Sequence, residues 1–305
     1  MDISKIYRYI SINVCNIKHK LSKISYFIII KYLFLIFILL FLTFPFYVMV
    51  ITSLKSNEDI IQNNLLSWPK QGLQFINYKN VFAIKDLKFL KYFVNTCIMV
   101  SLSTLAGTIC CVLAAFALSF FVFPLKRIIL MLLFLAMSIT SETLVLTNFR
   151  TVSNWGLVDN GNGSIVPGGV YLAMTFPYLI NVVHLFLLIQ TFKRVPKELY
   201  YTSKVDGITN FQYLCKILLP ITKPTVIVIS VFRTIAAWNA YAWPELVGAK
   251  LLTNMIRKIF DSEAFMDTLN LQMAIFVLIN LPLLFLFIVF KKYIISGDSR
   301  RGIKG

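Results

Sequence analysis

The sequence predicts an all-α integral membrane protein with six transmembrane helices and both termini in the cytoplasm. Hydrophobic residues occupy 58% of the 305 positions and charged residues only 14%, whereas a water-soluble domain has roughly 25% charged residues. Six hydrophobic runs are each long enough to cross about 30 Å of hydrocarbon as a helix. Lysine and arginine are concentrated on one side of these runs, which indicates the cytoplasmic side of the membrane.

The six runs define the expected transmembrane helices and divide the chain into segments. In order, the predicted spans are Tyr26–Ile51, Val94–Val122, Arg127–Thr147, Val170–Phe192, Val226–Val247 and Leu271–Tyr293. The corresponding segments are a cytoplasmic N-terminal tail (1–25), a first transmembrane helix (26–51), an extracellular loop (52–93), a transmembrane core (94–293) and a cytoplasmic C-terminal tail (294–305).

Composition distinguishes the first two spans. The first consists mostly of Phe, Leu and Ile, so we expect it to lie at the periphery and to face lipid. The second has a small residue at every fourth position, namely Ser103, Gly107, Cys111 and Ala115. Small residues on one face allow helix backbones to approach closely, so this span is expected to lie inside a bundle.

The distribution of charge orients the spans. Residues 1–25, the connection Lys126-Arg127, and the stretches 193–224 and 291–305 together carry 18 lysines and arginines, whereas the opposite loops carry 10. Acidic residues of the short opposite loops are Asp159, Asp261, Glu263 and Asp267. By the positive-inside rule, the segment 195–224 and both tails face the cytoplasm. The net charge of +17 is therefore assigned to cytoplasmic loops and not to nucleic-acid binding.

The segment 195–224, called the island below, is polar, rich in cations and predicted to form two short helices. Pro196 suits a first helical turn, where its missing N–H has no cost, and Glu198 then lies where the helix dipole favours an anion. Gly207 can adopt the left-handed conformation that ends a helix. The island is therefore a cytoplasmic surface element that a partner could hold.

The second helix of the island is predicted from a capping box. Thr209 followed by Gln212 allows the side chain of each residue to bond the backbone N–H of the other. This helix is expected to present Phe211, Leu214 and Leu218 on one side. Leu219-Pro220 is expected to terminate it, because proline lacks the N–H that a helix interior requires.

Several catalytic and metal-binding patterns are absent from the sequence. It contains no G-x-x-x-x-G-K-[ST] phosphate loop, no H-E-x-x-H, no G-x-S-x-G and no C-x-x-C pair. Histidine occurs only at His19 and His184. We therefore expect no enzymatic activity, no metal site and no cofactor in this chain, and an energy source, if any, in another chain.

Two groups of residues within the spans could line a translocation path. Glu142 and Arg233 are charges within predicted spans, where burial costs at least about 2.5–3.5 kcal/mol. They could line a water-filled path, or could lie near an interface or form a structural pair. Trp238, Asn239 and Tyr241 could form a sugar-stacking or gating surface; the alternative is an aromatic belt with a kink at Trp243-Pro244.

Motifs along almost the whole chain resemble those of a known family, the membrane subunits of bacterial ABC importers of the type I fold. Phe44-Pro45-Phe46 and Ser53-Leu54-Lys55 resemble the family's exit from its first span, and Trp238-Asn239 with Trp243-Pro244 resembles its fifth-span motif. The island matches the family's cytoplasmic coupling loop at Pro196, Glu198, Leu199, Asp206, Gly207, Ile217, Leu219, Pro220 and Pro224. The branch it resembles serves maltose-like sugars and glycerol 3-phosphate.

The resemblance implies a transport subunit in the cell membrane. A homologous second permease subunit would complete the path for a sugar or glycerol 3-phosphate, within membrane lipid. A dimer of a separate ATPase would bind ATP and Mg and would receive the island in a cleft, and an extracellular solute-binding protein would deliver the substrate. The coupling contacts would be Pro196, Glu198, Leu199, Asp206, Gly207, Leu219 and Pro220.

The sequence departs from the family pattern at three places. The family usually has Glu-Ala-Ala where this chain has Tyr201-Thr202-Ser203, so the glutamate that would meet a basic residue of the ATPase is absent. Thr140-Ser141 stands where prolines are common, and Ala240 stands in place of a usual acidic residue. Shape therefore matters more than charge in the expected contacts of the island.

Two other classes of membrane protein remain as alternatives. A stand-alone secondary transporter or channel would work without ATP, and a membrane scaffold protein would not transport at all. The island argues against the first alternative, because a self-sufficient carrier needs no cytoplasmic docking helix.

Overall fold

The computed structural model describes residues 26–62, 66–84, 88–161, 163–260 and 269–296, and these ranges contain helices but no strand. The α-helices are α1 (Tyr26–Ser53), α2 (Asn57–Gln62), α3 (Ile76–Ala83), α4 (Phe89–Phe120), α5 (Lys126–Ala136), α6 (Val145–Asn154), α7 (Gly169–Thr175), α8 (Val182–Lys193), α9 (Lys197–Val205), α10 (Asn210–Tyr213), α11 (Leu219–Trp238), α12 (Ala242–Leu246), α13 (Leu252–Phe260) and α14 (Leu269–Ser296). Short 3₁₀ helices occupy Ser141–Leu144 and Phe176–Tyr178, and a π-helical turn occupies Leu214–Leu218.

Five of the six predicted spans correspond to helices of sufficient length and apolarity in the described part of the chain. Four are single helices, at Ile28–Ser53, Phe89–Phe120, Asn210–Trp238 and Leu269–Ile294. The fourth predicted span is a bent pair, in which Gly169–Tyr178 and Val182–Lys193 meet at 56°. The predicted tail 1–25, residues 297–305 of the predicted tail 294–305, and the acidic residues Asp261, Glu263 and Asp267 lie outside the described residues.

The third predicted span, Arg127–Thr147, is not one helix. Its sequence is divided between α5, the 3₁₀ helix Ser141–Leu144 and the start of α6. The break coincides with a hydroxyl-rich stretch, in which the Oγ1 atoms of Thr140 and Thr143 lie 3.0 Å apart. Ser and Thr side chains offer the backbone alternatives to helical hydrogen bonds, which favours an interruption here. The count of six crossings and the cytoplasmic placement of the termini stay predictions.

Helix α4 is the central element of the bundle, as its small residues predicted. It packs against α7, α8, α11 and α13. Ser103, Gly107, Cys111 and Ala115 are all buried, which confirms the interior position of this span. Helix α1 packs along α14, and only 6% of the residues in its most apolar stretch are buried. The prediction of a peripheral first span is therefore confirmed.

Two hydrophobic clusters lie at opposite ends of α4. The outer cluster gathers buried residues of α4, α7 and α11 to α14, among them Met99, Met174, Trp238, Trp243, Leu252 and Ile275. The inner cluster joins the other end of α4 to α8 and the island, through residues such as Phe116, Leu188, Phe192, Tyr213 and Leu218. The island therefore packs at the end of the bundle away from the Asp159 loop, as the charge distribution predicted.

Buried polar residues fix the outer end of α1. Asn77 Nδ2 donates to the carbonyl oxygens of Ser53 and Lys55, each at 2.9 Å, and Asn270 Nδ2 donates to that of Lys55 at 3.3 Å. The Lys55 side chain is fully buried, and this burial lowers its pKa although nearby Asp59 acts in the opposite direction. These contacts join α1, α3 and α14 in a segment that the sequence predicted only as an extracellular loop.

The loop after α6 is closed by Asp159. Its Oδ1 atom accepts the backbone N–H groups of Gly161 and Gly163 at 2.8 and 2.7 Å. These N–H groups, assisted by Lys250 Nζ at 3.4 Å, hold the pKa of Asp159 below its usual value. Gly248 passes directly beside this loop with a φ of +75°, and a Cβ atom there would lie 2.0 Å from the Asp159 carbonyl oxygen. Position 248 therefore requires glycine both for its positive φ and because there is no space for a Cβ atom.

Replacement of Gly248 by alanine tests this approach, with Gly72→Ala as the matched control. Both glycines have a positive φ, but a Cβ atom at Gly72 would have no atom within 4 Å. We expect Gly72→Ala to lower the free energy of unfolding by roughly 1–2 kcal/mol, the cost of left-handed backbone. Gly248→Ala adds a backbone collision, so its cost should exceed about 3 kcal/mol. Denaturant unfolding of the purified chain in detergent measures both; equal costs would contradict the close approach.

Candidate functional site

The first helix of the island, α9, begins and ends almost as predicted. Pro196 lies one residue before the helix, with φ −55° and ψ 132°, and Glu198 lies in the first turn. Gly207 has a φ of +74°, and its N–H donates to the Lys204 carbonyl at 3.1 Å. The predicted glycine termination is confirmed, and Pro196 precedes the first turn where it was expected within it.

The second helix of the island starts as predicted but does not end as predicted. The capping box forms, with the Thr209 N–H donating to Gln212 Oε1 at 3.0 Å and the Gln212 N–H donating to Thr209 Oγ1 at 3.3 Å. The prediction that Leu219-Pro220 terminates this helix is wrong. Helical structure continues without interruption from Asn210 through Pro220 and Pro224 to Trp238.

The π turn at Leu214–Leu218 explains how the helix passes Pro220. The N–H of Leu219 donates to the Leu214 carbonyl, five residues earlier, so the hydrogen-bond register shifts by one residue. Pro220 then lies in the opening turn of α11, where a missing N–H is tolerated. As a result, the island is joined to a membrane-spanning helix without a flexible connection.

An aromatic cluster anchors the island to α4. Tyr213 is fully buried, and its ring centroid lies 5.1 Å from Tyr200 and 5.5 Å from Phe120. Tyr200 also donates its hydroxyl to Asn210 Oδ1 at 3.0 Å, which links the two short helices. Nothing in the sequence pattern indicated these tyrosines. The sequence predicted Phe211, Leu214 and Leu218 along one side of the second helix, whereas Leu214 and Leu218 are buried and Phe211 is exposed.

The opposite side of the island presents apolar side chains away from the chain's own core. Leu199, Tyr201, Val205 and Phe211 are 41%, 61%, 87% and 67% exposed. Glu198, Asp206 and Pro220 are also exposed, and Leu219 is half-buried. Thus Tyr201, which stands where the resemblance implies glutamate, belongs to an exposed apolar surface. A partner that covers this surface would gain from the burial of apolar area.

Arg233 lies buried in the middle of the bundle. Its Nη2 atom donates to the carbonyl oxygens of Tyr178 and Leu179 at 2.8 and 3.2 Å, at the bend of the fourth span. Glu142 lies in the 3₁₀ helix Ser141–Leu144, and its pairing with Arg233 stays a prediction. The partners of the Arg233 guanidinium are therefore these two backbone carbonyls and the Cys111 Sγ atom, which lies 3.8 Å from Nη1.

The other predicted path residues lie where α11 ends. Trp238 is buried in the outer cluster, where its ring packs edge-to-face with that of Phe93 at a centroid distance of 6.2 Å. Asn239 is exposed, and the half-buried Tyr241 bonds through its hydroxyl to Arg257. The predicted fifth span therefore ends at Trp238, before Val247, because Asn239 to Tyr241 separate α11 from α12. Trp243 is a core residue whose Nε1 donates to the Ala173 carbonyl at 3.1 Å.

An open cavity of about 330 Å³ lies at the outer end of the bundle. Its lining includes Asn95 of α4, Tyr171 of α7 and the Asp159–Lys250 pair. Tyr171 donates its hydroxyl to Asn95 Oδ1 at 3.1 Å. None of the predicted path residues lines this cavity. Among the described residues, no group of three His, Cys, Asp or Glu side chains is close enough to hold a metal ion.

Comparisons of sequence identify relatives of nearly the whole chain, although no family model matches it. A probable ABC transporter permease protein of Mycoplasma pneumoniae is 27% identical, over 91% of this chain and 89% of the relative. The arabinooligosaccharides transport system permease protein AraQ of Bacillus subtilis is 24% identical, over 90% and 94%. The sn-glycerol-3-phosphate transport system permease protein UgpE of Brucella suis is 24% identical, over 88% and 95%.

A comparison of structures agrees with the sequence relatives. A chain of a bacterial ABC transporter involved in the import of the acidic polysaccharide alginate has a similar fold, with a TM-score of 0.76 and 21% identity. The match covers 88% of this chain and 96% of that one. The homologues of this chain are thus permeases of ABC transporters, and the predicted all-α permease fold in a multi-pass membrane protein is confirmed.

Substitution of Tyr213 tests the aromatic anchor of the island. Its buried hydroxyl has no hydrogen-bond partner among the described residues, so Tyr213→Phe should leave the free energy of unfolding unchanged or raise it slightly. Tyr213→Ala removes the ring and should lower that free energy by roughly 3–5 kcal/mol. Denaturant unfolding of the full chain in detergent distinguishes them. Equal destabilisation by both substitutions would mean that the hydroxyl, and not the ring, holds the island.

Proposed function

We propose that this chain is a permease subunit of an ATP-driven ABC importer, in which the island transmits movement of a separate ATPase to the membrane helices. The observation that carries the proposal is the continuous helix from Asn210 to Trp238, which joins a cytoplasmic docking surface to the centre of the bundle. The exposed apolar side chains at Leu199, Tyr201, Val205 and Phe211 supply the surface. The relationship to ABC transporter permeases supports the same conclusion.

A sugar or oligosaccharide is the proposed substrate, with glycerol 3-phosphate as the second choice. Relatives named for arabinooligosaccharides and for sn-glycerol 3-phosphate support this range. A phosphorylated substrate calls for a cation in the path, and Arg233 donates to carbonyl oxygens of the chain itself. Because these carbonyl oxygens already hold the Arg233 guanidinium, the substrate that we favour is an uncharged sugar.

The proposed complex contains two different permease chains, a dimer of the ATPase and an extracellular solute-binding protein. ATP and Mg would bind to the ATPase, and this chain would carry no cofactor. Closure of the ATPase dimer would move the docked island, and the rigid connection through α11 would rock the bundle between inward-facing and outward-facing states. Such a mechanism needs only that ATP and substrate bind the two states with different affinities.

Reconstitution tests the proposed function. The full-length chain is expressed with the neighbouring genes, purified through a tag on this chain, and examined for a co-purifying P-loop ATPase and a second permease. The complex in proteoliposomes should import a labelled oligosaccharide only when ATP and the solute-binding protein are present. Uptake by this chain alone without ATP would instead identify a secondary transporter, and a chain that recovers neither partner would overturn the proposal.

Gly207 provides a specific test of the island. Gly207→Pro should abolish ATP-dependent uptake while membrane insertion stays normal, because proline cannot adopt a φ of +74°. Gly207→Asn is the matched control, since asparagine tolerates the left-handed conformation, and it should retain uptake. Vesicle uptake and membrane fractionation are the two measurements. Normal uptake by the proline variant would refute the assignment of Gly207 as an essential turn.

Glu198 tests the contribution of charge to docking. Glu198→Lys places a cation at the start of α9, where the helix dipole favours an anion, and should weaken assembly with the ATPase. Glu198→Gln removes the charge without reversing it and should have the smaller effect. The amount of ATPase that co-purifies with each variant is measured against salt concentration. An unchanged amount with Glu198→Lys would reduce Glu198 to a solvated surface residue.

A further inference from the structure

We propose that Arg233 is a positioning residue that fastens the bent fourth span to α11. Arg233 is only 7% exposed, and its guanidinium lies at the bend itself, where Nη2 donates to the carbonyl oxygens of Tyr178 and Leu179. This contact lies entirely within the chain, so it joins the two membrane helices whether or not other subunits are bound. Its role in transport rests on the proposed function.

The bend leaves backbone groups that need partners. The last carbonyl groups of any α-helix have no donors within that helix, and they carry the partial negative charge of the helix dipole. Inside a membrane no water is available to satisfy them, so the protein must do so. The half-span that begins at Val182 is capped locally, because Oδ1 of the preceding residue, Asn181, accepts the His184 N–H at 3.1 Å. The carbonyl end receives the Arg233 cation from a different helix.

Gly107 provides the space for this contact. A Cβ atom at Gly107 would lie 1.5 Å from Nη2 and 2.2 Å from Cζ of Arg233, so the guanidinium lies directly over the bare backbone of α4. Hydroxyl pairs join α4 to α11 on either side, with Thr104 and Thr234 at 3.3 Å and Thr108 and Ser230 at 3.4 Å. Arg233 therefore connects the bend to a pair of helices that already pack closely.

The position of Arg233 links the two ends of the bundle. Towards the cytoplasm, α11 continues through the π turn into the island. Towards the outside, the half-span that Arg233 holds includes α7, whose residues Val170, Tyr171 and Met174 line the outer cavity. Movement of the island would thus reach the outer cavity through a charge-assisted contact and not only through apolar packing.

A double-mutant cycle tests the contact without any partner subunit. Thermal unfolding midpoints are measured for the full-length chain in lipid nanodiscs with Gly107→Ala, Arg233→Ala and both changes. Gly107→Ala should lower the midpoint strongly in the presence of Arg233 and have little further effect once Arg233 is replaced. Ser103→Ala, a change in the same buried face of α4, is the control and should add independently to Arg233→Ala. Additive effects of Gly107→Ala and Arg233→Ala would overturn the contact.

A second measurement separates positioning from mere stability. In the reconstituted complex, Arg233→Met should lower the amount of substrate imported per ATP hydrolysed by roughly fivefold or more, while the amount of assembled complex stays the same. Arg233→Lys, which keeps a donor and a charge, should recover most of this ratio. An unchanged ratio with Arg233→Met would overturn the positioning role. If no ATPase assembles with the wild-type chain, the proposed function fails, and the double-mutant cycle alone decides the contact.

Discussion

The supply of hydrogen-bond partners to backbone groups inside the membrane is the constraint on which this bundle depends. An uninterrupted helix such as α4 satisfies its own groups, so it can form the centre of the structure. Each interruption needs a donor or acceptor from elsewhere. At the bend of the fourth span the donor is Arg233, and at the outer end of α1 the donors are the amides of Asn77 and Asn270. At both of these helix interruptions, side chains from other helices therefore supply hydrogen bonds to the backbone carbonyl groups.

The sequence predicted those features whose cause is local or periodic. The small residues of α4 repeat at helical spacing, and the Thr209 capping box and the Gly207 turn act within a few residues, so all three were correct. The continuation of the helix through Pro220 was missed, because the π turn that permits it is stabilised by burial of Leu214 and Leu218 in the inner cluster. The partners of Arg233 were also missed, because carbonyl oxygens 54 and 55 residues away leave no signature in side-chain identity.

The island combines a rigid underside with an apolar outer side. Tyr200 and Tyr213 pack against α4, while Tyr201 and Val205 of the same short helical region point away from it. A surface of this kind recognises a partner through the fit of apolar side chains, which is insensitive to salt, more than through paired charges. Tyr201, which stands where the family that the chain resembles usually has glutamate, adds its ring to this apolar side. The anchored aromatic rings keep the outer side chains in fixed relative positions.

The π turn at Leu214–Leu218 also sets the rotational phase between the island and α11. A π turn is an α-helix with one additional residue, and each residue of an α-helix advances the direction of its side chains by about 100°. Loss of one residue from this turn would keep both flanking helices and rotate the island by that angle about the helix axis. A single insertion or deletion in this turn would therefore reorient the exposed apolar side of the island without any change in the residues of the membrane helices.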